Sequence, residues 1–146
     1  MTRPSAPQVL RLLDYVIFNT LIGNHDAHAK NFSLLYISNT PVLAPLYDAL
    51  STAVYPSLAH KMAMKIGSKY KFAEVQVRHW DQFAQAAGLS IAQTRKRILD
   101  LALQLPLAAR KLASVPNGEF TGHSLIEQII SLIEARSAQT IRLLRA

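Results

Sequence analysis

The sequence has no cysteine, which excludes disulfides and thiolate-bound metal and points to an intracellular, cytoplasmic setting. It also has no uninterrupted apolar run near the roughly 20 residues of a bilayer span. Asp14, Asn19 and Asn24 break the greasiest stretch, and no membrane association is expected. Residues 1–7 lack the apolar segment and small-residue cleavage site of a secretory leader. Glycine is scarce, at 23, 67, 88, 118 and 122 only, so no G-x-G-x-x-G phosphate loop exists. Acidic residues are few, 9 against 16 basic ones, for a net charge of +7. Such an excess fits anionic partners. The basic residues nevertheless fall in short groups, His60–Lys65, Lys69–Lys71 and Arg95–Arg97. No polybasic tail, helix-turn-helix pattern or aromatic platform accompanies them, and a solvated basic face is the favoured reading over a nucleic-acid surface.

What remains is 146 residues, half of them hydrophobic, enough for one core and therefore read as a single domain over 1–146. The fold class expected is mainly α with a small β-hairpin. Ser5 is placed to cap a helix with Pro7 in its first turn, apolar through Val9–Ile22 and stopped at Gly23. From Tyr15 onward the apolar side chains face nearly every direction, which predicts a helix buried on most sides. Residues 31–37 and 42–44 flank the turn cluster Ser38-Asn-Thr-Pro41 and predict a hairpin. Residues 51–72 read as loop with one short strand or turn. A helix over Trp80–Ala87 closes at Gly88. Ser90 caps a long helix from Ile91 to about Leu112, kinked by Pro106, and Ser124 precedes a last helix over 125–144. Val115-Pro-Asn-Gly118 is a turn. Trp80 and Phe83 belong to the core, and Met62 and Met64 to the core or a pocket edge.

One stretch stands apart. In Ile22-Gly-Asn-His-Asp-Ala-His-Ala-Lys-Asn-Phe32 an apolar helix gives way to a run dense in Asn, His, Asp and Lys. Asp26 and Asn31 are spaced as in a protein-kinase catalytic loop, H-R-D-x-x-x-x-N. The hairpin would return the chain to Asp48 beside them. Phosphoryl transfer needs metal ions to neutralise phosphates and a carboxylate to take the proton of the attacking hydroxyl. Asn31 and Asp48 offer an amide oxygen and a carboxylate for Mg2+, leaving Asp26 to face a Ser or Thr hydroxyl. Lys30 can place positive charge near the transferred group. A plainer reading also stands: the Asn-His-Asp cluster as a helix C-cap with local hydrogen bonds, Asp48 as a turn residue or the cap of a helix starting at Ala49, and His28 as a structural imidazole. His25 and His28, with Asp26 between them, do not complete a zinc or iron ligand set.

Residues 22–33, together with Leu43-Ala-Pro-Leu-Tyr-Asp-Ala-Leu-Ser-Thr52 and Lys61-Met-Ala-Met-Lys-Ile-Gly67, closely resemble the C-terminal half of HipA-like serine/threonine kinases, the toxins of HipBA-type toxin–antitoxin modules. The resemblance covers the first half by motif and the helical remainder, including His79-Trp80 and Ala87-Gly-Leu89, by pattern. It implies the C-lobe of a fold akin to protein kinases and phosphatidylinositol 3/4-kinases, with Asp26 catalytic, Asn31 and Asp48 as ligands of Mg2+ and ATP, and Lys30 and His28 shaping the loop. It also implies phosphorylation of a protein Ser or Thr, with an aminoacyl-tRNA synthetase as a family substrate. The partner implied is a small HipB-like antitoxin, through which alone nucleic acid enters. A kinase further needs a smaller lobe to cover the adenine and hold the phosphates. Only 25 residues precede Asp26, so the chain is expected to be a C-lobe lacking the N-lobe, incomplete as an enzyme by itself and completed by a separate N-lobe chain if one exists. The alternative is an inactive helical interaction module that binds an antitoxin or such a partner lobe.

Overall fold

The computed structural model describes residues 5–146; residues 1–4, part of the segment in which no secretory leader was expected, lie outside the described residues. The first helix, α1, spans Ala6–Ile22. Pro7 sits in its first turn, where a missing N–H costs nothing. Ser5 takes the extended N-cap conformation, but its side chain bonds to nothing in the helix; its carbonyl instead accepts the amides of Gln8 and Val9. The far end is stopped as expected. Gly23 adopts a left-handed conformation (φ 74°) and α1 ends there.

The hairpin consists of β1 (Leu34–Ile37) and β2 (Thr40–Leu43), antiparallel, with Leu34 opposite Leu43 and Ile37 opposite Thr40. Its turn is only Ser38-Asn39, both with positive φ (49° and 63°), the two-residue geometry that matches strand twist. Pro41 therefore lies inside β2, opposite Tyr36. That pair falls next to the hydrogen-bonded one that closes the turn, so the missing N–H leaves no ladder bond unmade. Strand β1 starts later than the sequence pattern suggested, because Ala29–Asn31 is a turn of 3-10 helix. Two strands alone are marginal in water; here β2 leans on α1, with the Leu43 amide donating to Gln8 Oε1 (2.8 Å) and the Tyr15 hydroxyl to the Ala44 carbonyl (3.3 Å).

Residues 51–72 are irregular apart from a 3-10 turn over Thr52–Val54, a bridge between Ile66 and Lys69, and Phe72, which opens a second 3-10 turn over Phe72–Glu74. Then come α2 (Val77–Ala86), α3 (Ile91–Ala113) and α4 (Ser124–Arg145). Ser90 caps α3 through its side chain, accepting the Gln93 amide at 3.3 Å, and the helix runs on past Pro106. Ser124 lies inside α4 and His123 is the N-cap, without a side-chain bond. The turn at Val115–Gly118 closes with an amide-to-carbonyl bond of 2.9 Å.

The core gathers Leu13, Val16, Ile17 and Leu21 of α1 with Met62, Ile66, Val75, Trp80, Ile98 and Ala102. Trp80 and Phe83 meet edge to face at 6.2 Å; Met64 is exposed. Several arginines are occupied in tying helices together: Arg97 chelates Asp14 (α3 to α1), Arg95 chelates Asp81 (α3 to α2), and Arg110 holds both Glu127 and Glu134 (α3 to α4). By contrast, all of β1 faces solvent, with Leu34, Leu35, Tyr36 and Ile37 each at least 48% exposed. No described helix is long and apolar enough to cross a membrane.

Candidate active site

The site is built outward from the end of α1. Asn24, buried, is its organiser: its amide nitrogen donates to Asn19 Oδ1 (2.9 Å) and to the Asp48 carbonyl (3.1 Å), while its Oδ1 accepts the Asp26 backbone N–H (3.1 Å). One side chain thus holds the helix end, the Asp26 loop and the segment after the hairpin. The plainer reading of the Asn-His-Asp cluster, a helix C-cap with local hydrogen bonds, covers the bonds of Asn24 to Asn19 and Asp26 but not its reach across 24 residues to Asp48.

Asn31, also buried, donates its side-chain nitrogen to the Asp26 carbonyl (3.2 Å) and to Asp48 Oδ2 (3.0 Å). Asn31 thus meets the Asp48 carboxylate, as the hairpin's return predicts, and touches Asp26 at its backbone carbonyl. Asp48 is not a helix cap, since no helix begins at Ala49; the residue sits at φ 55°, in the left-handed region that few residues other than glycine, Asn and Asp adopt. Tyr47 next to it bonds the Ser33 hydroxyl (2.7 Å) and donates to the Lys30 carbonyl (3.1 Å), which pins the segment to the loop.

Asp26 and His28 are exposed, and His28 Nε2 lies 3.0 Å from Asp26 Oδ1; the His28 amide also donates to the Asp26 carbonyl at 2.8 Å. Lys30 is exposed, with its side chain in no ion pair among the described residues. Beside Asp26 an open cleft of about 300 Å³ is lined by His25, Asp26, Thr52, Leu58 and Ala59. Burial lowers the pKa of His25, with the Arg136 and His60 charges acting the same way against the bond to Ala59. Among the described residues no three His, Asp or Glu side chains converge as a ready-made metal set. The donor pair Asn31 and Asp48 nonetheless suits Mg2+, which takes one or two protein oxygens and completes its shell with water and phosphate. The Asn31 side chain turns its nitrogen toward Asp48 Oδ2 and the Asp26 carbonyl, and its Oδ1 makes no hydrogen bond among the described residues.

The sequence profile of the HipA-like C-terminal domain matches residues 1–109. Among curated proteins, the putative kinase Y4mE of Sinorhizobium fredii is 51% identical over 96 residues, covering 66% of this chain and 23% of its own length. A second putative kinase of that organism, Y4dM, is 35% identical over 99 residues, covering 67% and 23%. The serine/threonine-protein kinase toxin HipA of Shewanella oneidensis is 27% identical over 97 residues, covering 66% and 22%. The chain thus spans less than a quarter of the length of these relatives. Among solved structures, a chain of the Shewanella oneidensis HipA, HipB and operator DNA complex superposes with a TM-score of 0.81 at 23% identity, over 92% of this chain and 32% of that one. At that identity the likeness is one of fold.

Proposed function

Because this chain belongs to the HipA-like C-terminal domain family, we propose that it is the catalytic subdomain of a serine/threonine protein kinase of the HipA toxin type. Its role is to carry the proton-accepting and metal-holding half of an ATP-dependent phosphoryl-transfer site. The observation that carries the reading is the contact between Asn31 and Asp48 (3.0 Å) with Asp48 held in a left-handed backbone. Backbone strain of this kind persists where the surroundings enforce it, and it concentrates at functional sites; here Asn24 and Tyr47 enforce it.

Asn31 Oδ1 and the Asp48 carboxylate are the groups that would hold Mg2+, which when bound with ATP neutralises phosphate charge. Asp26 accepts the proton of the incoming Ser or Thr hydroxyl. His28 holds one oxygen of that carboxylate at 3.0 Å, leaving the other for the hydroxyl. Lys30 supplies positive charge at the mouth of the site. The strands that cover the nucleotide belong to a portion of the kinase beyond these residues, in this chain's natural context or on a separate N-lobe chain. The exposed apolar side chains of β1, Leu34 to Ile37, support that reading as surface open to such a contact. The same surface supports the second reading, an inactive module that binds such a lobe or a HipB-like antitoxin. The Shewanella oneidensis complex of HipA, HipB and operator DNA supports a HipB-like antitoxin as the partner, with DNA reached through that antitoxin as the family resemblance implies; the substrate is a protein hydroxyl, for which an aminoacyl-tRNA synthetase is the family precedent.

Paramagnetic Mn2+ in place of Mg2+ tests the site in this chain alone. Substoichiometric Mn2+ should broaden the amide and side-chain NMR signals of Asn31 and Asp48 selectively, and Asp48→Asn should abolish the effect. Broadening confined to other residues, or unchanged in the variant, would remove the metal-holding role.

A further inference from the structure

We propose that Arg136, on α4, is a positioning residue for Asp26, acting through His25, whose imidazole it holds in the neutral form protonated at Nδ1. The inference rests on the reading of Asp26 as the proton acceptor. It concerns a residue beyond the 1–109 span that the family profile matches.

The geometry leaves one assignment for the ring. Arg136 donates through Nη1 to the Thr20 carbonyl (2.8 Å), and its Nη2 lies 2.8 Å from His25 Nε2. A guanidinium has donors only, so Nε2 must be the acceptor. On the other side of the ring, Nδ1 lies 2.8 Å from the Ala59 carbonyl, which can only accept, so Nδ1 must carry the hydrogen. Two independent contacts demand the same tautomer. The backbone of His25 is fixed as well: its amide donates to Thr52 Oγ1 (2.9 Å) and its carbonyl accepts the Ala63 amide (2.8 Å). Every polar group of the residue just before Asp26 is thereby committed, and the direction in which the chain delivers Asp26 is set by that frame.

Arg136 is an unusual choice for mere packing. It is largely buried, and desolvation lowers its pKa to about 10, which leaves it charged at neutral pH. Its guanidinium lies 4.3 Å above the Phe72 ring and makes no ion pair among the described residues. Stability alone is served as well by an apolar side chain in such a place. What only arginine supplies is a planar fork reaching a carbonyl and an imidazole at fixed spacing. The charged or titratable groups facing His25 are Arg136 from α4, His60 beside Ala59, and Asp26 next in the chain. A second proton on His25 would aim an N–H at the guanidinium and break the contact.

Long-range proton–nitrogen NMR correlations of the His25 ring in the whole chain provide the test, read in the native sequence and in Arg136→Met and Arg136→Lys. In the native chain at pH 7, His25 should show a protonated Nδ1 and a bare Nε2. Both substitutions should leave Nδ1 protonated against the Ala59 carbonyl, move the resonance of the bare Nε2 that has lost its guanidinium donor, and shift the carboxyl carbon resonance of Asp26, while the distant Asp81 carboxyl stays in place. Lysine keeps the charge without the fork, so its failure to restore the native spectrum is part of the expectation. If Arg136→Met does not fold, Arg136→Lys and the native tautomer still decide. A native His25 protonated at Nε2, or an Asp26 resonance indifferent to both substitutions, overturns the proposal. The kinase reading fails separately: an Asp26 that follows Arg136 in a chain where Mn2+ ignores Asn31 and Asp48 would keep the coupling and remove the phosphoryl-transfer site.

Discussion

Gly23→Ala isolates how tightly the turn before the site is packed. The residue has φ 74°, and a β-carbon added to it would lie 2.8 Å from Ala53 Cβ and 2.9 Å from Leu132 Cδ2. The Leu132 methyl can swing aside. Ala53 cannot, because its amide is bonded to the Gly23 carbonyl at 2.9 Å. Two effects therefore add: about 1–2 kcal/mol for an L-residue in the left-handed region, and a further ~1–3 kcal/mol for forcing a methyl into filled space. Gly88 supplies the control. It too has positive φ (69°), but nothing lies within 4 Å of its would-be β-carbon, so Gly88→Ala should cost only the conformational part, about 1–2 kcal/mol. Urea denaturation of the two variants beside the native chain reads the difference, and in thermal melts Gly23→Ala should fall below Gly88→Ala by roughly 2–12 °C. Equal losses would refute the packing argument and leave only the backbone one. A Gly23→Ala chain that also lost the Asn31 and Asp48 response to Mn2+ would show that the turn sets the site as well as the fold.

Stability should also fall as the solution is acidified from about pH 6.5, because His79 and His25 both have pKa values lowered from 6.5, chiefly by burial. The unfolded chain takes up their protons first, so the stabilisation is complete above pH 6.5 and is lost as pH drops toward the folded-state values. His79 is the cleaner case, since its Nδ1 accepts the Gln76 amide at 2.8 Å; urea midpoints of His79→Gln should change less between pH 7 and 5 than those of the native chain, and parallel slopes would exclude His79. At the helix caps, Ser90→Ala should cost about 1 kcal/mol, whereas Ser5→Ala should change stability by less than about 0.5 kcal/mol, because only Ser90 bonds its helix through the side chain; equal effects in denaturant titrations would contradict that assignment.

The parts of the fold that were legible in the sequence are those whose cause is local. Gly23 announces the end of α1, the cluster Ser38–Pro41 the hairpin though not its two-residue turn, Ser90 the start of α3, and the meeting of Asn31 with Asp48 follows from a hairpin short enough to fold the chain back on itself. Ser5 and Ser124 carry the same capping signal as Ser90 but spend it differently, one using only its carbonyl and the other lying within the helix. Asn31 and Phe32 have strand-like neighbours, yet a 3-10 turn claims Asn31 so that its side chain can reach both aspartates' segments. Arg136 left no trace at all: it is one more arginine on an amphipathic helix until the fold brings it against a histidine 111 residues earlier.

That separation has a consequence in time. At the usual 5–20 residues per second of protein synthesis, roughly 5–20 s pass between the making of His25 and the making of Arg136. Through that interval the Asp26 loop and the hairpin can form around Asn24, whose contacts all lie within residues 19–48, but the ring of His25 has no guanidinium to face. A nascent chain can therefore bring Asn31 and Asp48 together before α4 is made, and Asp26 is the group of the site whose direction waits for that helix.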